Sequence, residues 1–209
     1  MPKTILITGA NRGLGLGLLK LYLLLPDHTV IAAVRNPAHA SSTALSSLPT
    51  AEKTSLITVK LDATVEEDAS AAIRILQEKH DIQRLDVVIA NAGVSYVWPK
   101  LKDVKIEDMK GHMAPNVYGV VSLYQATRGL LEKSVQPSFV LMGSQAGVLS
   151  NLPPVPNAAY GPSKAAAHWL IVRLHAEEEW LNAFVLDPGW VQTDLGQAGA
   201  RGWGLRVRP

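Results

Sequence analysis

Thr8-Gly9-Ala10-Asn11-Arg12-Gly13-Leu14-Gly15-Leu16-Gly17 decides how this chain is read. It follows the apolar run Ile5–Ile7 and leads into a Leu-rich segment that ends at Pro26, so its order is strand, glycine turn, helix. Glycines at 9, 13 and 15 permit backbone angles closed to other residues and let N–H groups come close to a ligand. The helix behind them offers unpaired N–H groups and a partial positive charge, which favour an anion such as a pyrophosphate. As plain helix residues Gly15 and Gly17 would each cost about 1 kcal/mol relative to Ala, which argues for a ligand or packing reason. Taken alone, the spacing G-x-x-x-G-x-G differs from the G-x-G-x-x-G dinucleotide pattern and also fits a glycine-rich surface bend.

The chain of 209 residues is 47% hydrophobic, enough for one domain spanning 1–209 with a sizeable core. Its 20 basic and 18 acidic residues leave a net charge of only +2, so nucleic-acid binding has no electrostatic footprint. With no cysteine, disulfides, thiolate metal sites and cysteine nucleophiles are excluded together, and the six histidines show no metal-ligand spacing. No charged leader precedes the first strand, and the apolar stretch Leu14–Leu25 falls short of the roughly 20 residues that span a bilayer. The expectation is a soluble, cytoplasmic protein without membrane or nucleic-acid partners.

Thr29–Val34 is a continuous apolar run suited to a strand buried on both faces of a parallel sheet. It ends at Arg35, where related folds place an acidic residue on the adenosine ribose. A guanidinium there suits a 2′-phosphate instead, and Arg12 in the glycine turn reaches for the same group, which reads as NADP(H). Ser55–Leu61 forms a third strand followed by Asp62, placed either to meet an adenine amino group or to cap the next helix. Glu66–His80 has helical periodicity, and Arg84–Ala90 is a fourth strand closed by Asn91-Ala92-Gly93. One long helix is expected from Ile106 to Lys133, kinked at Pro115, which lacks an N–H, with Asn116 beside the kink. Ser138–Met142 is strand five, ending at Ser144. A helix from Ala159 to about Trp180 carries Tyr160 and Lys164 one turn apart on the same face. Ala183–Leu186 is strand six, followed by Pro188-Gly189-Trp190-Val191-Gln192-Thr193. The alternation predicts an α/β fold: a doubly wound parallel sheet of six strands with helices on both faces, its turns sharing a cleft at the carboxyl edge.

Together, Thr8-Gly-x-x-x-Gly-x-Gly15, Asn91-Ala-Gly93, Asn116, Ser144, Tyr160-x-x-x-Lys164 and Pro188-Gly189 resemble the short-chain dehydrogenase/reductase family in order and interval. The segments from Asn116 to Gly119, Arg173 to Phe184 and Pro188 to Asp194 are similar to fungal ketoreductases of the norsolorinic acid reductase type. The resemblance implies an NADP-dependent oxidoreductase that reduces a ketone, with Tyr160 as proton donor. Lys164 would lower the phenol pKa and hold the nicotinamide ribose, Ser144 would hold the substrate oxygen, and Asn116 would anchor a water. The cofactor would lie on Gly9, Asn11, Arg12, Gly13, Leu14 and Gly15 of the turn, on Arg35 and Asp62, and on Asn91, Ala92 and Gly93. Tyr160, Lys164, Pro188, Gly189, Val191 and Thr193 would complete its contacts. Tyr96, Trp98, Leu149, Leu152 and Trp190 near the cleft suggest an apolar aromatic or polyketide-like ketone. The family also implies a homodimer or homotetramer.

Two departures stand out. Ala90 replaces a second Asn before Asn91, and the chain stops sixteen residues after Thr193, where the family adds a substrate cover and a seventh strand. The expectation from the latter is a missing seventh strand, an unprotected edge at strand six and a tail from Arg201 unlike the family. The alternative reading is a non-catalytic NADP(H)-binding sensor or partner-binding protein, or an incomplete product that folds poorly.

Overall fold

The computed structural model describes residues 2–203. Six strands, β1 (Thr4–Thr8), β2 (Thr29–Val34), β3 (Ser55–Lys60), β4 (Val87–Ala90), β5 (Ser138–Met142) and β6 (Asn182–Leu186), form one parallel sheet in the order 3-2-1-4-5-6. The order reverses between β1 and β4, and a crevice opens there at the carboxyl ends of the strands. Parallel strands covered on both faces bury every side chain, which is why β2 from Val30 and all of β4 are continuous apolar runs.

Helices α1 (Gly13–Leu23), α2 (Ala40–Thr43), α3 (Glu66–His80), α4 (Ile106–Met113), α5 (Gly119–Leu131), α6 (Tyr160–Glu177) and α7 (Asp194–Gly202) complete the fold. One core layer joins Leu6, Ile31, Val88 and Phe139 to apolar side chains of α3, α5 and α6. The other joins Ile5, Ile7, Val30 and Val140 to Leu19 and Leu23 of α1. Alternation along β1 and β2 sends successive residues to opposite layers.

Three elements differ from the sequence expectation. The helix expected from Ile106 to Lys133 is divided by a π-helical turn, Ala114–Tyr118. Pro115 has no N–H to give the α-helical ladder, and the wider turn absorbs that gap at a functional position. The fourth strand starts at Val87 rather than Arg84, because Asp86 is a buried clamp. Its carboxylate accepts from the Thr4 N–H at 2.8 Å and the Ser134 hydroxyl at 2.6 Å, and pairs with Arg84 at 3.1 Å. After Thr193 the chain forms α7, a helix not assigned from the sequence, which takes in Arg201 and Gly202 at the start of the tail. The reading of 204–209 as unlike the family lies outside the described residues. Among the described residues β6 is an edge strand, with Phe184 and Leu186 partly exposed.

Candidate active site

The glycine turn is built for close approach. Gly9 and Gly13 have φ of +64° and +52°, values that L side chains rarely adopt. A Cβ on Gly15 would strike the Gly9 carbonyl and lie 2.6 Å from the Asn91 amide, so packing alone requires glycine there. Asn91 stitches β4 to this turn, donating from Nδ2 to the Thr8 carbonyl at 2.8 Å and the Gly9 carbonyl at 3.4 Å. The Thr8 hydroxyl accepts from the Asn91 and Ala92 N–H groups at 3.0 and 2.9 Å. Asn11 extends the turn sideways, its Nδ2 donating to Ser41 Oγ at 2.7 Å and Ser42 Oγ at 3.3 Å. Leu14 packs against the α1 core layer. Arg12 precedes α1 and Arg35 follows β2, and both are exposed.

Across the switch point, a small cavity is lined by Thr8, Leu61, Ala63, Ala92, Pro115 and Gly119. Asp62 stands beside it, but its carboxylate accepts from the Thr64 N–H at 2.9 Å and hydroxyl at 2.7 Å, closing the turn ahead of α3. The Asp62 side chain closes this turn without capping α3, whose N-cap, Val65, has no side-chain cap hydrogen bond.

Tyr160 and Lys164 occupy the first two turns of α6, both buried. Lys164 Nζ donates to the Met142 carbonyl at 2.7 Å. A Cβ on Gly93 would lie 3.8 Å from that Nζ and 2.9 Å from Asn116 Oδ1, so Gly93 is where the loop after β4 meets the ammonium group. Asn116, presented by the π turn, accepts from the Val94 N–H at 2.8 Å and donates to the Val94 carbonyl at 2.9 Å and Ser163 Oγ at 3.0 Å. It ties the loop after β4 to α6. Ser144 begins a short 3-10 turn; its hydroxyl accepts from the Ala146 N–H at 3.2 Å.

The charge environment reverses one expectation. Burial pushes the Tyr160 phenol above its ordinary value, the Ser144 hydrogen bond pulls it down, and the Asp187 carboxylate raises it. The net direction is upward, opposite to the lowering expected from Lys164. Its ammonium is itself penalised by burial, and its pKa is pushed down to about 8.

The last segment returns to the glycine turn. Gly189 has φ of +66°, and Thr193 Cγ2 would lie 3.4 Å from a Cβ on Gly13. The Thr193 hydroxyl accepts from the Gly196 N–H at 3.1 Å, capping α7 while keeping its own proton to donate. Pro188 and Val191 flank this turn; the Val191 carbonyl accepts from the Thr193 N–H at 2.9 Å. Above it, Trp98, Trp190 and Trp203 surround Gly199 of α7, with ring centroids 5.9 Å apart for Trp98–Trp203 and 5.6 Å for Trp190–Trp203. Tyr96 stacks on buried His112 at 4.1 Å, and His112 meets the edge of Tyr160 at 6.1 Å. Leu149 and Leu152 stand exposed.

The sequence reading missed Trp203, His112 and His168. Extending the Tyr160–Lys164 spacing by four more residues finds His168; the other two carry no local signal. The groups fit a nicotinamide dinucleotide: a glycine cradle at a helix N-terminus for phosphate, and a buried phenol and ammonium at the far end.

A fold of this order with a buried tyrosine and lysine at the switch-point crevice defines a short-chain dehydrogenase, and a short chain dehydrogenase family model matches residues 3–201. The chain belongs to the short-chain dehydrogenase/reductase family and is an oxidoreductase that binds a nicotinamide cofactor. It is 44% identical to a norsolorinic acid ketoreductase of Dothistroma septosporum over 99% of this chain and 78% of that protein. It is 42% identical to the norsolorinic acid ketoreductase of Aspergillus parasiticus over 98% and 76%. Among solved structures, NADPH-bound carbonyl reductase from chicken fatty liver superposes with a TM-score of 0.85 at 27% identity, covering 93% of this chain and 82% of that one. The carbonyl reductase Sniffer of Drosophila melanogaster gives 0.83 at 25%, covering 94% and 84%. No helix among the described residues is long and apolar enough to cross a membrane.

Proposed function

We propose that this protein reduces an apolar, aromatic or polyketide-like ketone to a secondary alcohol with NADPH, and that Tyr160 supplies the proton. The observation that carries the reading is a buried tyrosine held between the Ser144 hydroxyl and the helix turn bearing Lys164. Its relatives named as ketoreductases and carbonyl reductases support the reaction class. Two exposed guanidinium groups flanking the turn, Arg12 and Arg35, support a 2′-phosphate. The tryptophans around Gly199, with Tyr96, support an aromatic substrate.

Bound NADPH supplies the hydride that reduces the carbonyl carbon. The protein must place the carbonyl oxygen and deliver a proton to it as negative charge develops. The Ser144 hydroxyl donates a hydrogen bond to that oxygen. The Tyr160 phenol, kept protonated by burial, gives up its proton to the same oxygen. Lys164 has one of its three donors on Met142, and the others serve a ribose hydroxyl and the phenolate left behind. Gly93 keeps that space open, and Asn116 fixes the loop beside it. Thr193 donates to the carboxamide. Pro188, Gly189 and Val191 shape the wall next to it. Mixing the protein with NADPH and a panel of aromatic ketones tests the reading: loss of cofactor absorbance with alcohol formed supports it, and tight NADPH binding without turnover on any ketone contradicts it.

A further inference from the structure

One turn beyond Lys164, the same face of α6 carries His168. The ring is half-buried against the turn that follows β5, and its Nε2 accepts the backbone N–H of Ser144 at 3.2 Å. Glycines on both sides of Ser144 make room for the ring. A Cβ on Gly143 would lie 2.8 Å from Nε2, and one on Gly147 would lie 2.9 Å from Cε1. The turn that carries Ser144 is therefore moulded around the imidazole. Accepting an N–H requires a lone pair on Nε2, hence a neutral ring with its proton on Nδ1. Ser144 is also the residue whose hydroxyl acts on the Tyr160 phenol.

We propose that His168 is a positioning residue for the reduction: its neutral ring fixes the Ser144 backbone, and through it the hydroxyl beside Tyr160, and protonation of the ring releases that turn. The proposal rests on the reading of Ser144 and Tyr160 given above. A protonated ring would point an N–H at the Ser144 N–H, two donors facing one another, and the hydrogen bond would be replaced by repulsion. The charged groups acting on the ring are Lys164 on its own helix and Asp187 after β6, while the 143–147 turn facing it brings no charged side chain. Burial and the Lys164 charge push the His168 pKa below its ordinary value, and Asp187 opposes them. The ring is an acceptor at neutral pH, and release belongs to the acid side of the ordinary histidine range.

Two variants and one spectroscopic readout test this. In His168→Gln the amide oxygen reaches as far as Nε2 and accepts at any pH; His168→Leu has no acceptor. Ketone reduction is followed from about pH 5 to about pH 8, with NADPH affinity by fluorescence and folding by thermal melting. The Ser144 amide resonance of the cofactor-free wild type is titrated in parallel. The wild type is expected to lose kcat as pH falls, with KM for NADPH steady. The Gln variant keeps the neutral rate without the acid loss, and the Leu variant loses about ten-fold in kcat at neutral pH with NADPH affinity intact. The Ser144 amide shifts in step with His168 protonation. An acid loss that persists in the Gln variant overturns the proposal, as does a folded Leu variant with wild-type kcat or a Ser144 amide blind to His168. If the wild type reduces no ketone, the reaction assignment fails, and the amide titration still decides whether His168 sets the Ser144 turn.

Discussion

Lys164 Nζ sits 5.8 Å from the centre of the Tyr160 ring and spends a donor on the Met142 carbonyl, one helical turn from the phenol it serves. Burial dominates both groups, raising the phenol and lowering the ammonium. A phenol held above its ordinary value stays protonated through neutrality. The rate of ketone reduction is therefore expected to show no loss near pH 7 from tyrosine ionisation, which belongs above about pH 10. A Tyr160-dependent loss near neutrality in the pH profile of kcat would contradict this.

Lys164 carries a stability cost. Its folded pKa of about 8 lies below the ordinary 10.5, so the folded state binds fewer protons between these values, and stability rises with pH across that window. Lys164→Met is expected to remove this dependence and to raise stability at neutral pH by roughly 1–3 kcal/mol, while abolishing reduction. Thermal melts of both proteins from neutral to alkaline pH check it; a variant less stable than wild type at neutral pH would oppose it.

Arg12 and Arg35 separate the two nicotinamide cofactors. Replacing both with Ala is expected to weaken NADPH by about ten- to a hundred-fold, the loss of charge-assisted hydrogen bonds to a phosphate, and to change NADH by about two-fold or less. Fluorescence titration with each cofactor decides it, and equal losses would remove the case for NADP.

Away from the site, Glu178 gathers α5 to the turn before β6. Its carboxylate accepts from Arg128 at 2.7 and 3.1 Å, from the Tyr124 hydroxyl at 2.6 Å and from the Trp180 indole at 2.6 Å. The Arg128 hydrogen bonds, with Tyr124, hold its pKa down to about 2. A depressed carboxylate contributes its full stability above 4.5 and loses it as pH falls toward about 2. Glu178→Gln is expected to cost about 1.5–3 kcal/mol at neutral pH and to flatten the acid loss in that window. Equal acid slopes for the two proteins in denaturant melts would refute it.

The sheet was legible because β2 and β4 are apolar without interruption and each is punctuated by a polar or glycine turn. The candidate site residues Asn116, Ser144, Tyr160 and Lys164 were proposed from order and interval. Three things were not legible. Pro115 announced a break, but whether a helix answers proline with a kink or a π turn depends on what packs beside it, here Ala63 against Gly119. Helix α7 holds three glycines in nine residues and has poor intrinsic propensity; the Thr193 cap and the tryptophans around Gly199 form it, and both are tertiary. The direction of the Tyr160 shift depends on desolvation, which no spacing of residues reveals.

The measurement closest to the central claim compares wild type with Tyr160→Phe, following NADPH oxidation with an aromatic ketone that the wild type reduces. The variant is expected to bind NADPH as tightly as wild type and to lose at least about a hundred-fold in kcat. A Tyr160→Phe protein that keeps the full rate would show that the proton comes from elsewhere.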